Sequence, residues 1–391
     1  MKRYLFLALM AVSVTVLYGL SDSLQTELEF YTQSGSITEK LAIIRGVADE
    51  KIPDAGEFYG IVLERLLREY PSVRGNQQLE AAETAVRLLT GLIGDEKYEP
   101  AASSVWRAVS DFSNPLVRES GLIALGKLEA KEFLPQIIRL LTDLNSYPRS
   151  DIKAKEDAER VAYGAIIALE HFKDPAGYLP VFFASSGWYH DRVKSRARSA
   201  LPEILEDPSE PLIFVIKSSA YVYGDKFEAL QTAERSWAAT DKKAEIAVAA
   251  LAESWRSTTN DPRLRRNLVE MRKLAMGMIG QYKTEDESVY PLLERTYKEG
   301  SEDEKFPAIN TLAFLGTEKS AQLLSSFLRD IMDRLDSGLL TRTDERMARM
   351  IIPALGDTGQ SSAVPVLRIV RESNWSSTVK RLAADALKKI G

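Results

Sequence analysis

The sequence predicts an all-α fold, an α-α superhelix (solenoid) of roughly nine to eleven helical hairpins, and three observations carry that prediction. First, a six-residue phrase returns along the chain. It reads ALGKLE at Ala124–Glu129, TLAFLG at Thr311–Gly316, ALGDTG at Ala354–Gly359 and ALKKIG at Ala386–Gly391. Weaker copies are LTGLIG at Leu89–Gly94, ALEHFK at Ala168–Lys173, ALPEIL at Ala200–Leu205 and MIGQYK at Met278–Lys283. Second, a further small residue stands three places before most copies, as at Gly121, Ala165, Ala197, Ala275, Ala308 and Ala383, which marks one face of a helix. Third, the second letters of successive copies, from Leu125 to Leu387, are separated by about 30 to 50 residues, the length of a hairpin with or without an insertion.

At the N-terminus, Lys2 and Arg3 precede an apolar run from Tyr4 to Tyr18 and the small-x-small triplet Gly19-Leu20-Ser21. That is the layout of a secretory signal peptide over residues 1–21, with cleavage after Ser21 or Gly19. The run of about 15 residues is shorter than the roughly 20 that a spanning helix needs, and no later stretch is long enough either. The expected mature chain, 22–391, is a single solenoid with no transmembrane segment, exported to the bacterial periplasm or secreted.

Within the repeats, Ala and Gly let two helices approach closely, while the neighbouring Leu fills the groove between them. A short polar turn and a second apolar helix follow each phrase, as in KEFLPQIIRLLTD, DPAGYLPVFFASS and SSAVPVLRIVRES. Pro135, Pro180, Pro291 and Pro365 fall in the first turn of such helices, where a missing backbone N–H costs little. Two insertions, near 144–159 and 331–346, exceed what a tight repeat requires and are expected to be surface excursions.

The runs Asn114–Asp143 and Ala348–Val370 resemble HEAT repeats, in particular the short HEAT-like form associated with phycobilisome lyases. The resemblance extends from Ile37 to the C-terminus and implies an armadillo-type solenoid. It also implies that Asp111, Val117 and Arg118 link neighbouring units, with Lys380 replacing the arginine in the last one.

Composition excludes several function classes. Hydrophobic residues at 45% and charged residues at 27% support a packed core. There is no cysteine, which removes disulfides, thiol catalysis, cysteine zinc sites and a lipid-bearing cysteine. Without Lys2 and Arg3 the chain has 49 basic against 56 acidic residues, a net charge of −7 and a poor surface for nucleic acid. No H-E-x-x-H, G-x-S-x-G, G-x-x-x-x-G-K-[ST] or G-x-G-x-x-G pattern occurs, and His171 and His190 are the only histidines. Neither catalytic residues, a metal nor a cofactor is expected.

One stretch concentrates reactive side chains: FFASSGWYHDR, Phe182–Arg192. Ser185, Ser186, His190 and Asp191 crowd too closely in sequence for a relay triad, so the stretch is expected to be a helix end, a bend eased by Gly187 and the start of the next helix. Trp188, Tyr189, His190, Arg192 and Arg196, with Arg265 and Arg266 of a second basic run, form the candidate partner-binding set, because aromatic and arginine side chains anchor interfaces. The leading expectation is an exported, non-enzymatic scaffold or adaptor binding a protein or peptide. The runner-up, a bilin lyase-like accessory enzyme, comes from the family resemblance alone. Binding of cell-wall glycan through Trp188, Tyr189 and Trp375 is a third reading.

Overall fold

A computed structural model describes residues 19–257 and 259–391. The signal-peptide segment 1–18 lies outside the described residues. All regular structure among the described residues is helical, and the chain divides between Leu205 and Glu206 into two compact units.

The first unit holds α1 (Asp22–Gln33), α2 (Ile37–Glu50), α3 (Gly56–Glu69), α4 (Asn76–Asp95), α5 (Ala102–Asp111), α6 (Pro115–Lys127), α7 (Leu134–Ser146), α8 (Ile152–Phe172), α9 (Tyr178–Ser186) and α10 (Asp191–Ile204). The second holds α11 (Ser209–Lys217), α12 (Tyr223–Arg235), α13 (Thr240–Ser254), α14 (Pro262–Tyr282), α15 (Val289–Glu299), α16 (Glu302–Leu315), α17 (Glu318–Asp336), α18 (Arg342–Thr358), α19 (Val364–Glu372) and α20 (Ser377–Ile390). Each odd-numbered helix packs on the even-numbered helix that follows it, so each unit is a stack of five hairpins. Within a unit, each even helix touches the next even helix and most odd helices touch the next odd one, giving the two layers of an α-solenoid.

The recurring phrase closes the even helices, and its letters have distinct jobs. A Cβ placed on Gly94 of α4 would stand 2.9 Å from the Cα of Ala124 on α6. Gly126 of α6 meets Ala168 of α8 at 2.8 Å, and Gly356 of α18 meets Ala386 of α20 at 2.9 Å. The glycine of one copy therefore rests on the alanine that opens the next. One position further on, Asp95 pairs with Lys127 at 2.5 Å and Asp357 with Lys389 at 2.6 Å, a ladder of ion pairs between the same places of successive copies.

The sixth letter stops the helix. Glu129, Lys173, Lys283, Gly316 and Gly359 all have positive φ, between 49° and 67°. Lys97 does the same at φ 52°, which corrects the register expected for the first weak copy. The phrase there is LIGDEK, Leu92–Lys97, three residues later than Leu89–Gly94, and Gly94 is its third letter. Only glycine adopts this conformation without cost, as at Gly316 and Gly359.

Two other expectations change. The insertions are mostly helix: residues 144–159 extend α7 and α8 around a short loop at 147–151, and residues 331–346 extend α17 and α18 around 337–341. Asp111 and Arg118 act locally rather than between units. Asp111 is exposed beside Ser110 and Arg107, and Arg118 Nε donates to Val109 O at 3.1 Å within its own hairpin. Val117 is buried in the core, and burial lowers the Arg118 pKa.

Two predictions follow from this geometry. Gly126→Ala should cost about 1–3 kcal/mol, because the added methyl strikes backbone and cannot be relieved by rotating a side chain. Glu129→Gly should gain up to about 1 kcal/mol by relieving the left-handed cap. Urea unfolding followed by circular dichroism measures both.

Candidate interaction surface

The stretch Phe182–Arg192 forms the turn between α9 and α10, and its side chains are committed to the fold. Ser185 is buried and its hydroxyl donates to Phe182 O at 2.7 Å. His190 is exposed, and its Nδ1 stands 3.8 Å from Glu159 rather than next to a serine. No relay exists here. Gly187 has φ −67°, an ordinary value, so the bend needs glycine for room and not for backbone freedom: a Cβ would lie 2.8 Å from Phe183 O.

The aromatic anchors face inward. Tyr189 is 2% exposed, and its hydroxyl donates to Asn145 Oδ1 at 2.9 Å. Burial, reinforced by the nearby Glu159 charge, pushes the Tyr189 pKa far up. Trp188 Nε1 donates to Leu144 O at 3.0 Å, and its ring lies 4.3 Å from that of Tyr189. Lys155 extends over the Trp188 ring from the far side of the inserted loop. Trp188 and Tyr189 thus clamp the extended α7–α8 hairpin to α9, and Tyr189 leaves the candidate contact set. Trp375 is also buried.

The basic side chains are compensated by neighbours. Arg196 pairs with Glu170 of α8, and Arg192 stacks over the Tyr163 ring at 4.5 Å. Glu159 accepts from the His190 backbone N–H at 2.8 Å, and Arg160 pairs with Glu119 at 3.5 Å. The result is a face of alternating charge on the even-helix layer. Arg265 and Arg266 belong to the second unit, where both are exposed in the first turn of α14 and Arg265 donates to Thr259 O at 3.2 Å.

Arg272, further along α14, is buried. Its guanidinium donates to Glu304 and to Ser254 O, and lies 4.2 Å from the Trp255 ring, which Arg295 also approaches at 4.7 Å. Glu304 closes the capping box of α16 by accepting from the N–H and hydroxyl of Ser301. Desolvation raises its pKa, but the bonds from Ser301 and Arg272 outweigh burial and hold it below the usual carboxylate range.

Two clefts on the even-helix layer of the first unit were not anticipated. One, of about 290 Å³, runs between α4 and α6 and is bordered by Arg87, Gly91, Leu116, Ser120 and Ile123. The other, of about 150 Å³, involves α6, α8 and α10 and is bordered by Glu156, Glu159, Arg160, Tyr163 and Arg192. Glu119 borders both, so they adjoin. Of the expected contact residues, Arg192 lines one of these two clefts. The available sequence signal was Gly91, a mid-helix glycine outside the phrase once its register is corrected.

No family model matches the chain. Over 156 residues it is 32% identical to a tRNA modification GTPase, MnmE, of Roseobacter denitrificans (strain ATCC 33942 / OCh 114), covering 36% of this chain and 33% of that protein. The chain thus spans about a third of the length of the curated relative it matches. Among solved structures, importin beta aligns over 94% of this chain and 54% of its own, at TM-score 0.35 and 13% identity. Kap121p aligns over 95% and 42%, at TM-score 0.39 and 14% identity. A β-catenin structure aligns over 94% of both chains, at TM-score 0.34 and 12% identity.

The stretch of this chain nearest to a nucleotide-binding loop is GLIALGKL, Gly121–Leu128, with Leu128 where such a loop carries Ser or Thr. It is the body and end of α6. Gly121 abuts Val109, Gly126 abuts Ala168 and Lys127 holds Asp95, so its backbone N–H groups serve the helix and cannot wrap a phosphate.

Glu304→Ala should cost about 3–5 kcal/mol by stranding the buried Arg272 charge. Because the folded Glu304 pKa is depressed, its stabilisation is present above the unfolded carboxylate pKa and is lost as pH falls through the folded value. The destabilisation of Glu304→Gln should therefore shrink in acid, as read from urea midpoints at pH 7 and pH 3.

Proposed function

We propose that this protein is an exported, non-enzymatic scaffold that holds a protein or peptide partner on the even-helix layer of its first unit. The adjoining clefts that share Glu119 carry the reading. They lie on helices whose other faces are packed to the core, so the surface is rigid and pre-formed, which lowers the ordering cost of binding. Opposite charges stand side by side on it, as Glu119 with Arg160. That pattern favours one partner by its arrangement rather than by bulk attraction. Arg192, over Tyr163, is the exposed cationic anchor, while the groups that would make an enzyme, Ser185 and His190, are apart from each other and from any relay.

Export fits the opening segment. Leu20 is buried and the Ser21 hydroxyl accepts from Leu24 N–H at 3.4 Å as the N-cap of α1. Cleavage after Gly19 keeps both contacts, whereas cleavage after Ser21 removes them. The intact mass of the protein recovered from the periplasm should correspond to a chain starting at Leu20, and a start at Met1 would sink the export reading.

A photo-crosslinking residue at Tyr163 should capture a protein partner in the native cell envelope. The same residue at Arg139, exposed on α7 of the odd layer, should capture none. Equal capture from both positions would overturn the assignment to the even layer.

A further inference from the structure

The groove between α4 and α6 has a chemistry specific enough to name what it takes, on the basis of the partner-binding reading above. Leu116, Ile123 and Ala124 make its floor aliphatic. At about 290 Å³ it lies below the roughly 300–1,000 Å³ of pockets that enclose small molecules, and its size suits a side chain.

Gly91 keeps the groove open. Glycine in mid-helix is disfavoured relative to alanine, so its presence needs a reason. Packing does not supply one: a Cβ at Gly91 would meet only the Ser120 hydroxyl at 3.7 Å, an ordinary contact. Gly94, one turn on, is the opposite case, where the neighbouring helix fills the space.

The charges around the groove leave a single cation uncompensated. Lys127 is held by Asp95 and Glu119 by Arg160. Arg87 is exposed at the rim and forms no ion pair among the described residues. The complement of an aliphatic groove with one free guanidinium is an apolar side chain with a carboxylate close by, and Arg binds carboxylates with two parallel hydrogen bonds.

We propose that this groove receives an extended segment of a protein partner, with an apolar side chain seated over Gly91 and a carboxylate on Arg87. In an extended chain, residues i and i+2 face the same side about 6.5–7 Å apart, so the motif is an acidic residue two places from an aliphatic one.

Fluorescein-labelled nonapeptides with Asp-Gly-Leu, Asn-Gly-Leu, Asp-Gly-Ala or Lys-Gly-Leu between Gly-Ser flanks, titrated with the full-length protein, test this by anisotropy. Asp-Gly-Leu should bind about fivefold or more tighter than the other three. Gly91→Leu, which fills the groove, should weaken that binding about tenfold or more while the thermal midpoint stays the same or rises. Arg87→Glu should transfer the preference to Lys-Gly-Leu. Equal binding of all four peptides, undiminished binding by Gly91→Leu, or no binding at about 1 mM would overturn the proposal. Partner capture at Tyr163 that survives Gly91→Leu also overturns it and leaves the scaffold reading standing. Absence of capture by the unsubstituted protein removes the scaffold reading itself.

Discussion

At three of the contacts between successive even-numbered helices a glycine on one lies against the Cα of an alanine on the next: Gly94 on Ala124, Gly126 on Ala168 and Gly356 on Ala386. The rest of each unit depends on that approach. It brings the helices close enough for Leu125, Leu169 and Leu355 to be fully buried between layers. It also aligns the residues one step further on, so that Asp95 finds Lys127 and Asp357 finds Lys389. These exposed pairs contribute little energy; their consequence is register.

The small residues at these contacts have a second effect. The core-facing side of an even helix is mostly small and aliphatic, and the polar and aromatic residues that line the clefts stand on its opposite side. Arg87, Ser120, Tyr163 and Arg192 stand on that side in the first unit, on four consecutive even helices. A repeat built this way separates stability from binding, and the outward positions can change without disturbing the stack.

Buried and half-buried polar groups show the converse arrangement. Trp188 and Tyr189 read in sequence as contact residues, yet they, like Arg272 and Glu304, are spent on joining elements. Tyr189 and Trp188 reach the end of α7 through Asn145 and Leu144. Arg272 reaches Glu304, which at the same time caps α16 through Ser301. Residue type alone does not separate these cases, because an arginine between helices and an arginine in solvent are written the same way. Arg192 and Arg196 lie one turn apart on one helix, yet one stacks on Tyr163 at the edge of a cleft and the other is taken by Glu170.

By itself the sequence determined the helical class, the hairpin period and the close contact of small residues, since these follow from local periodicity and the size of side chains. It carried the helix stops as well, although the copy at Leu92–Lys97 came into register only through the left-handed conformation of Lys97. The tertiary structure alone decided which charges are free. Ion pairs such as Arg160 with Glu119 and Arg272 with Glu304 join residues dozens of positions apart, and no spacing rule within a helix reaches that far. The clefts were hidden for the same reason: a groove is the space left between two helices, and it exists only once both are placed.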